Sequence, residues 1–97
     1  MSYRRRNLDS VVSSGRSSAI GTRIRFLNND IADMDQDGNF NLRNMTGTIV
    51  DWDWNDFNDT LFIQLDNRVD LLDDWDNVLQ LDLRYYRTTQ VYIYNNV

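Results

Sequence analysis

The chain predicts an all-β fold, a small five-stranded barrel, and three observations carry that prediction. Apolar and polar residues alternate in five short runs, Asn and Asp cluster between the runs, and good helix formers are depleted. The depletion is unusual: all ten basic residues are Arg and all fifteen acidic residues are Asp, so Lys and Glu are absent. A length of 97 residues suits one small domain with a limited core.

Residues 1–18, MSYRRRNLDSVVSSGRSS, mix Arg, Ser and Gly with almost no period and are expected to form a disordered basic arm that carries Arg4, Arg5 and Arg6. Residues 19–97 are expected to form the barrel. In IGTRIRF, Thr22, Ile24 and Phe26 share one face of an extended segment, with Arg23 and Arg25 on the other. TGTIVDWDW places Val50, Trp52 and Trp54 together, the two Trp in the core, and sends Asp51 and Asp53 to the opposite side. TLFIQLD aligns Leu61, Ile63 and Leu65, and NVLQLDLRY aligns Leu79, Leu81, Leu83 and Tyr85. TQVYIYN alternates Val91 and Ile93 with Tyr92 and Tyr94 and supplies an extra C-terminal strand. NDFND and LDN read as turns, and DLLDDWDN offers one helical turn with Trp75 as a lid. A strongly bent barrel is favoured because a flat sheet would leave long edges exposed.

Composition excludes most catalytic chemistry. Without His, Cys, Lys or Glu there is no imidazole base, thiolate nucleophile, Schiff-base amine or Glu acid, so a non-enzyme is expected. Zinc and copper lose their preferred nitrogen and sulfur ligands, which leaves a hard cation held by oxygen. DMDQDGNFNLRN matches the first half of a calcium loop: Asp33, Asp35, Asp37, Asn39 and Asn41 stand where oxygen ligands are needed, and Gly38 where the chain turns sharply. Asn44 occupies the last position, where a bidentate carboxylate belongs, so the same stretch also reads as a solvated turn. The cofactor expectation is therefore none, with Ca²⁺ as the alternative. No run approaches a membrane span and the basic start lacks the apolar stretch of a signal peptide, which predicts a cytoplasmic protein with no membrane partner.

Charge is unevenly distributed. Residues 1–29 hold six Arg and one Asp, whereas residues 30–82 hold fourteen Asp and two Arg. Asp51, Asp53, Asp56, Asp59, Asp70, Asp73, Asp74 and Asp76 are expected to build an acidic face. On a strand, residues two apart lie roughly 6.5 to 7 Å from each other, so Asp51 and Asp53 would space their charges much as a nucleic acid spaces phosphates. Such a face suits a basic groove on a nucleic-acid-binding protein. Direct nucleic-acid contact is expected to be weak and confined to the arm, and a homo-oligomer joined through arm and acidic face is an alternative.

The run IGTRIRF, a long loop, then MTGTIVDWD, LFIQLDN and LDDWDNVLQL resembles the SH3-like small barrels, of the kind seen in KOW-type domains and in short phage or prophage proteins of unknown role. The likeness spans about residues 20 to 83. It implies an SH3-like barrel, and with the acidic charge it implies a phage or mobile-element accessory inhibitor of the anti-CRISPR or anti-restriction type. Competing expectations are an ion- or nucleotide-sequestering barrel using residues 33–44, and a structural component of a virion.

Overall fold

The computed structural model describes residues 2–28, 41–69, 72 and 76–95 and contains one antiparallel six-stranded sheet with three short helices. The first strand and two of the helices arise from residues expected to be a disordered arm. Strand β1 spans Ser2–Asn7, helix α1 Leu8–Val12 and helix α2 Arg16–Ala19. Leu8, Val11 and Val12 recur at helical spacing and are buried, while Asn7 caps the turn by accepting the Ser10 N–H on Oδ1 at 2.9 Å. Backbone bonds from Leu8 N–H to Thr89 O and from Asp9 N–H to Arg87 O, 3.0 and 2.9 Å, then tie α1 to the far end of the chain.

Strands β2 (Arg23–Phe26), β3 (Thr46–Trp54), β4 (Asp59–Leu65) and β5 (Val78–Asp82) follow, then helix α3 (Leu83–Tyr86) and strand β6 (Gln90–Asn95). The sheet order is β1-β6-β2-β3-β4-β5. The last strand is thus internal, pairing Tyr92 with Arg5 on one side and with Arg25 on the other. Among the described residues no ladder joins β1 to β5, so the sheet has two edges and does not close; six strands in an open sheet replace the five-stranded barrel of the sequence reading. The additional strand, β1, has no period-two signal because an edge strand outside the core has no need of an apolar face. Its three Arg are of the kind that protect an edge from pairing with another chain.

One face of the sheet is apolar. Ile24, Phe26, Ile49, Leu61, Ile63, Leu79, Leu81 and Val91 are fully buried, and Leu8, Val11, Val12, Ala19, Leu42, Leu72 and Leu83 complete the same cluster. β5 stops earlier than alternation implies. Asp82 accepts the Arg84 N–H on Oδ1 at 2.9 Å, an N-cap that starts α3 and competes with further strand pairing. Leu83 remains buried while Tyr85 turns outward, 76% exposed, so Tyr85 does not share the apolar face of its run.

Two local devices hold the register. Gly47 lies so close to β4 that a Cβ would meet Gln64 O at 2.7 Å and Ile63 Cγ2 at 3.0 Å. Asn77, at φ +64°, folds the β4–β5 connection: its Nδ2 donates to Leu65 O at 2.9 Å and Asn67 O at 2.6 Å, and its Oδ1 accepts the Val69 N–H at 2.8 Å. Gly47→Ala should lower stability by about 1–3 kcal/mol, because the obstacle is a ladder carbonyl that cannot step aside. Asn77→Ala should cost about 2 kcal/mol through three lost hydrogen bonds and a left-handed backbone that Ala resists. Urea unfolding midpoints measure both, and wild-type midpoints would show that neither contact holds the register.

Candidate partner-binding site

Sheet order segregates charge. β1, β6 and β2 carry Arg4, Arg5, Arg6, Arg23 and Arg25 and no Asp, whereas β3, β4 and β5 carry Asp51, Asp53, Asp59 and Asp82 and no Arg. Among the described residues, the acidic half also holds the strongly exposed aromatic side chains. Their positions depend on a slip in the β3–β4 ladder, where Ile49 pairs with Ile63 but the next pair is Asp51 with Phe62. Val50 is the extra residue of a bulge and is 42% exposed. Beyond it, Trp52 falls opposite Leu61 and packs against the core, while Trp54 falls opposite Asp59 at the strand's end and is 71% exposed. Val50, Trp52 and Trp54 therefore do not share a core face, and Trp54 is not a core residue.

The hairpin after β3 is fixed by Asn55. Its Oδ1 accepts the N–H groups of Phe57 and Asn58, both at 2.8 Å, and its own N–H donates to Asn58 O at 2.8 Å. The tight turn leaves Phe57 82% exposed beside the exposed Asp56. Trp52 and Trp54 stand with ring centroids 6.3 Å apart at 35°, and the Trp52 Nε1–H donates to Asp59 Oδ1 at 2.8 Å. Between these rings and the start of α2 lies a cavity of about 480 Å³ lined by Gly15, Arg16, Asp51, Trp52, Asp53, Trp54 and Phe62. A second hollow of about 330 Å³ shares Gly15, Trp52 and Trp54, so the tryptophan pair borders both.

Of the expected acidic face Asp51 is paired internally, and outside that face Asp66 and Asp82 are paired as well. Asp51 accepts the Trp52 N–H at 2.8 Å and an ion-pairing bond from Arg16 Nη2; the backbone donor first, and Arg16 second, hold its carboxyl below the usual range. Asp82 is held low by Arg84, whose Nη2 lies 2.6 Å from Oδ2. Asp66 receives both ends of the Arg23 guanidinium, at 2.7 and 2.6 Å, and the Thr46 hydroxyl at 2.6 Å, which together lower its pKa to about 2. Asp53 and Asp56 are exposed and make no ion pair among the described residues. With Asp59 they gather at the β3–β4 hairpin, whereas Asp76 sits at the opposite end of the strands, in the β4–β5 turn. Asp70, Asp73, Asp74 and Trp75 lie outside the described residues.

Asp33, Asp35, Asp37 and Asn39 of the calcium-loop expectation likewise lie outside the described residues. Asn41 is described, and its Oδ1 accepts the Arg43 N–H at 3.0 Å, the geometry of a local turn. Arg4, Arg5 and Arg6 are exposed along β1, with Arg5 Nε donating to Gln90 Oε1 at 2.9 Å. Sequence reasoning missed Arg16 as the partner of Asp51 and missed the exposure of Trp54. Neither leaves a local signal, since one needs a contact 35 residues away and the other a ladder slip. Among the described residues no helix is long and apolar enough to cross a membrane. No family model, curated protein or solved structure matches the chain.

The Asp66 pairing has a pH signature. Its folded pKa of about 2 is below the ordinary 3.8, so the stabilisation is present above pH 3.8 and is lost as pH falls through 2. Wild type should exceed Asp66→Asn by about 1 kcal/mol at pH 7, after allowing for solvent screening of a side chain 37% exposed. The difference should shrink between pH 4 and 2 in urea titrations. A gap constant across that interval would mean that the charge of Asp66 is not its source.

Proposed function

We propose that the chain is a non-catalytic binding and inhibitory module whose β3–β4 hairpin docks on a basic, nucleic-acid-binding protein. The observation that carries the reading is the pair of exposed aromatic side chains, Trp54 at 71% and Phe57 at 82%, set among Asp53, Asp56 and Asp59. Large aromatic residues left in water at the tip of a well-ordered turn are the side chains that most often anchor protein interfaces. The surrounding carboxylates select a cationic partner and speed its approach, and the Trp54 ring offers its face to an Arg or Lys side chain. Asp51 joins this surface conditionally, because a basic groove would compete with Arg16 for it.

In this reading β2 to β6 form an SH3-like unit. Support comes from the return of the last strand beside the first of the five and from the bulge that bends the long β3. The absence of His, Cys, Lys and Glu favours binding over catalysis. The most concrete form is a phage or mobile-element accessory protein of the anti-CRISPR or anti-restriction type, occupying a site its partner otherwise offers to phosphates.

Immobilised protein should retain a basic nucleic-acid-binding protein from nuclease-treated bacterial lysate, and Trp54→Ala with Phe57→Ala should abolish retention. Each anchor is expected to contribute about 2 kcal/mol, a loss of roughly 30-fold per residue. Both side chains are exposed, so the double variant should keep the wild-type unfolding midpoint. Retention of the same proteins by the folded double variant would dismiss the hairpin as the docking element.

A further inference from the structure

We infer that the basic half of the sheet is a binding surface for single-stranded nucleic acid, centred on Arg5, Arg23, Arg25, Tyr92 and Tyr94. The inference rests on the charge partition and strand register, independently of the hairpin reading. Three adjacent strands of an acidic protein hold five Arg and no Asp. The ladders arrange them in rows: Arg5 opposite Tyr92 opposite Arg25, and, two residues along β6, Tyr94 opposite Arg23. Ile24, Phe26 and Val91 are buried on the other side, so all five side chains point away from the core. Across strands about 4.8 Å apart each row sets cations beside a ring, and the rows repeat along the strands at about 7 Å.

That alternation discriminates among anionic partners. An acidic protein surface would pair with the guanidinium groups and accept hydrogen bonds from the tyrosine hydroxyls without needing a cation and a ring in alternation. A single strand offers both a phosphate for each cation and a base face for each ring, and stacking on Tyr tolerates any base. Duplexes keep their base faces hidden, which disfavours them here. Two of the cations are not neutralised by a carboxylate: Arg5 Nε donates to the neutral amide of Gln90, and Arg25 makes no ion pair among the described residues. Arg23 is clamped by Asp66, which makes it a fixed wall of the surface more than a source of net charge. The acidic hairpin is in the other half of the sheet, separated from β6 by β2.

The test is fluorescence anisotropy of the intact chain with labelled 20-nucleotide oligo(dT) and with a duplex of the same length. Single strands should bind in preference to duplex, and two phosphate contacts predict about a sevenfold loss of affinity between 50 and 200 mM salt. Tyr92→Leu should weaken binding at least about fivefold by removing one stacked base. Arg5→Ser, on an exposed edge position, should halve the salt slope and covers the case in which the Tyr92 variant fails to fold. Asp53→Asn with Asp56→Asn, and Trp54→Ala with Phe57→Ala, should leave oligonucleotide binding in place, which separates this surface from the hairpin. No anisotropy change at 50 mM salt, equal affinity for duplex, or binding insensitive to Arg5→Ser would each overturn the proposal. So would sedimentation showing a dimer that Arg5→Ser dissociates without any oligonucleotide binding, since a second copy would then occupy the face.

Discussion

One extra residue in β3 sets the character of the acidic half of the molecule. Before the bulge, Ile49 points into the core opposite Ile63; after it, Trp52 returns to the same side opposite Leu61, and Val50 is left outside. Without the slip, the alternation of TIVDWDW would place Asp51 and Asp53 on the core side of the sheet, where an unpaired carboxylate is costly. The slip instead turns Asp51 toward Arg16 and solvent, and carries Trp54 past the end of the buried cluster. The aromatic hairpin and the neighbouring cavity follow from that geometry.

Core and charge divide the molecule along different lines. The apolar cluster runs under β2 to β6 and is completed by short helices and loops, as expected when a chain this small must cover one sheet face with little material. Charge instead divides across the strand order. Asp51, Asp66 and Asp82 each have an Arg within the molecule, so their negative charge is largely spent on architecture. Among the described residues, exposed carboxylates without an Arg partner gather around two aromatic rings at one hairpin, with Asp9 and Asp76 elsewhere, and guanidinium groups stand beside tyrosines on the strands of the other half. A single small sheet thereby offers two chemically opposite surfaces.

Much of the sheet was legible from periodicity. Ile24, Phe26, Leu61, Ile63, Leu65, Leu79, Leu81 and Val91 alternate and are buried as alternation requires. The failures cluster where a local feature overrides the period: the bulge at Val50, the Asp82 cap that starts a helix ahead of Tyr85, and the Asn7 cap inside a segment that read as unstructured. Asn and Asp promote both turns and caps, and composition does not distinguish the two. The candidate site was legible in kind, through the density of Asp and Trp in DWDWNDFND, but its extent was not: Asp51 is paired with an Arg 35 positions away, and Asp76 sits at the opposite end of the strands from the hairpin.

The sequence by itself determined the all-β class, four of the strands' buried faces and the exclusion of imidazole, thiolate and amine chemistry, because these depend on residue type and on a period of two. Tertiary structure decided that the Arg-rich N-terminus pairs with the last strand, that Trp54 and Phe57 stand in solvent, and that basic and acidic strands occupy opposite halves of the sheet. Strand order decides those features, and it is settled by which backbones find partners across nearly the whole chain: Ser2 beside Asn95 is the clearest case, a contact that no local pattern encodes.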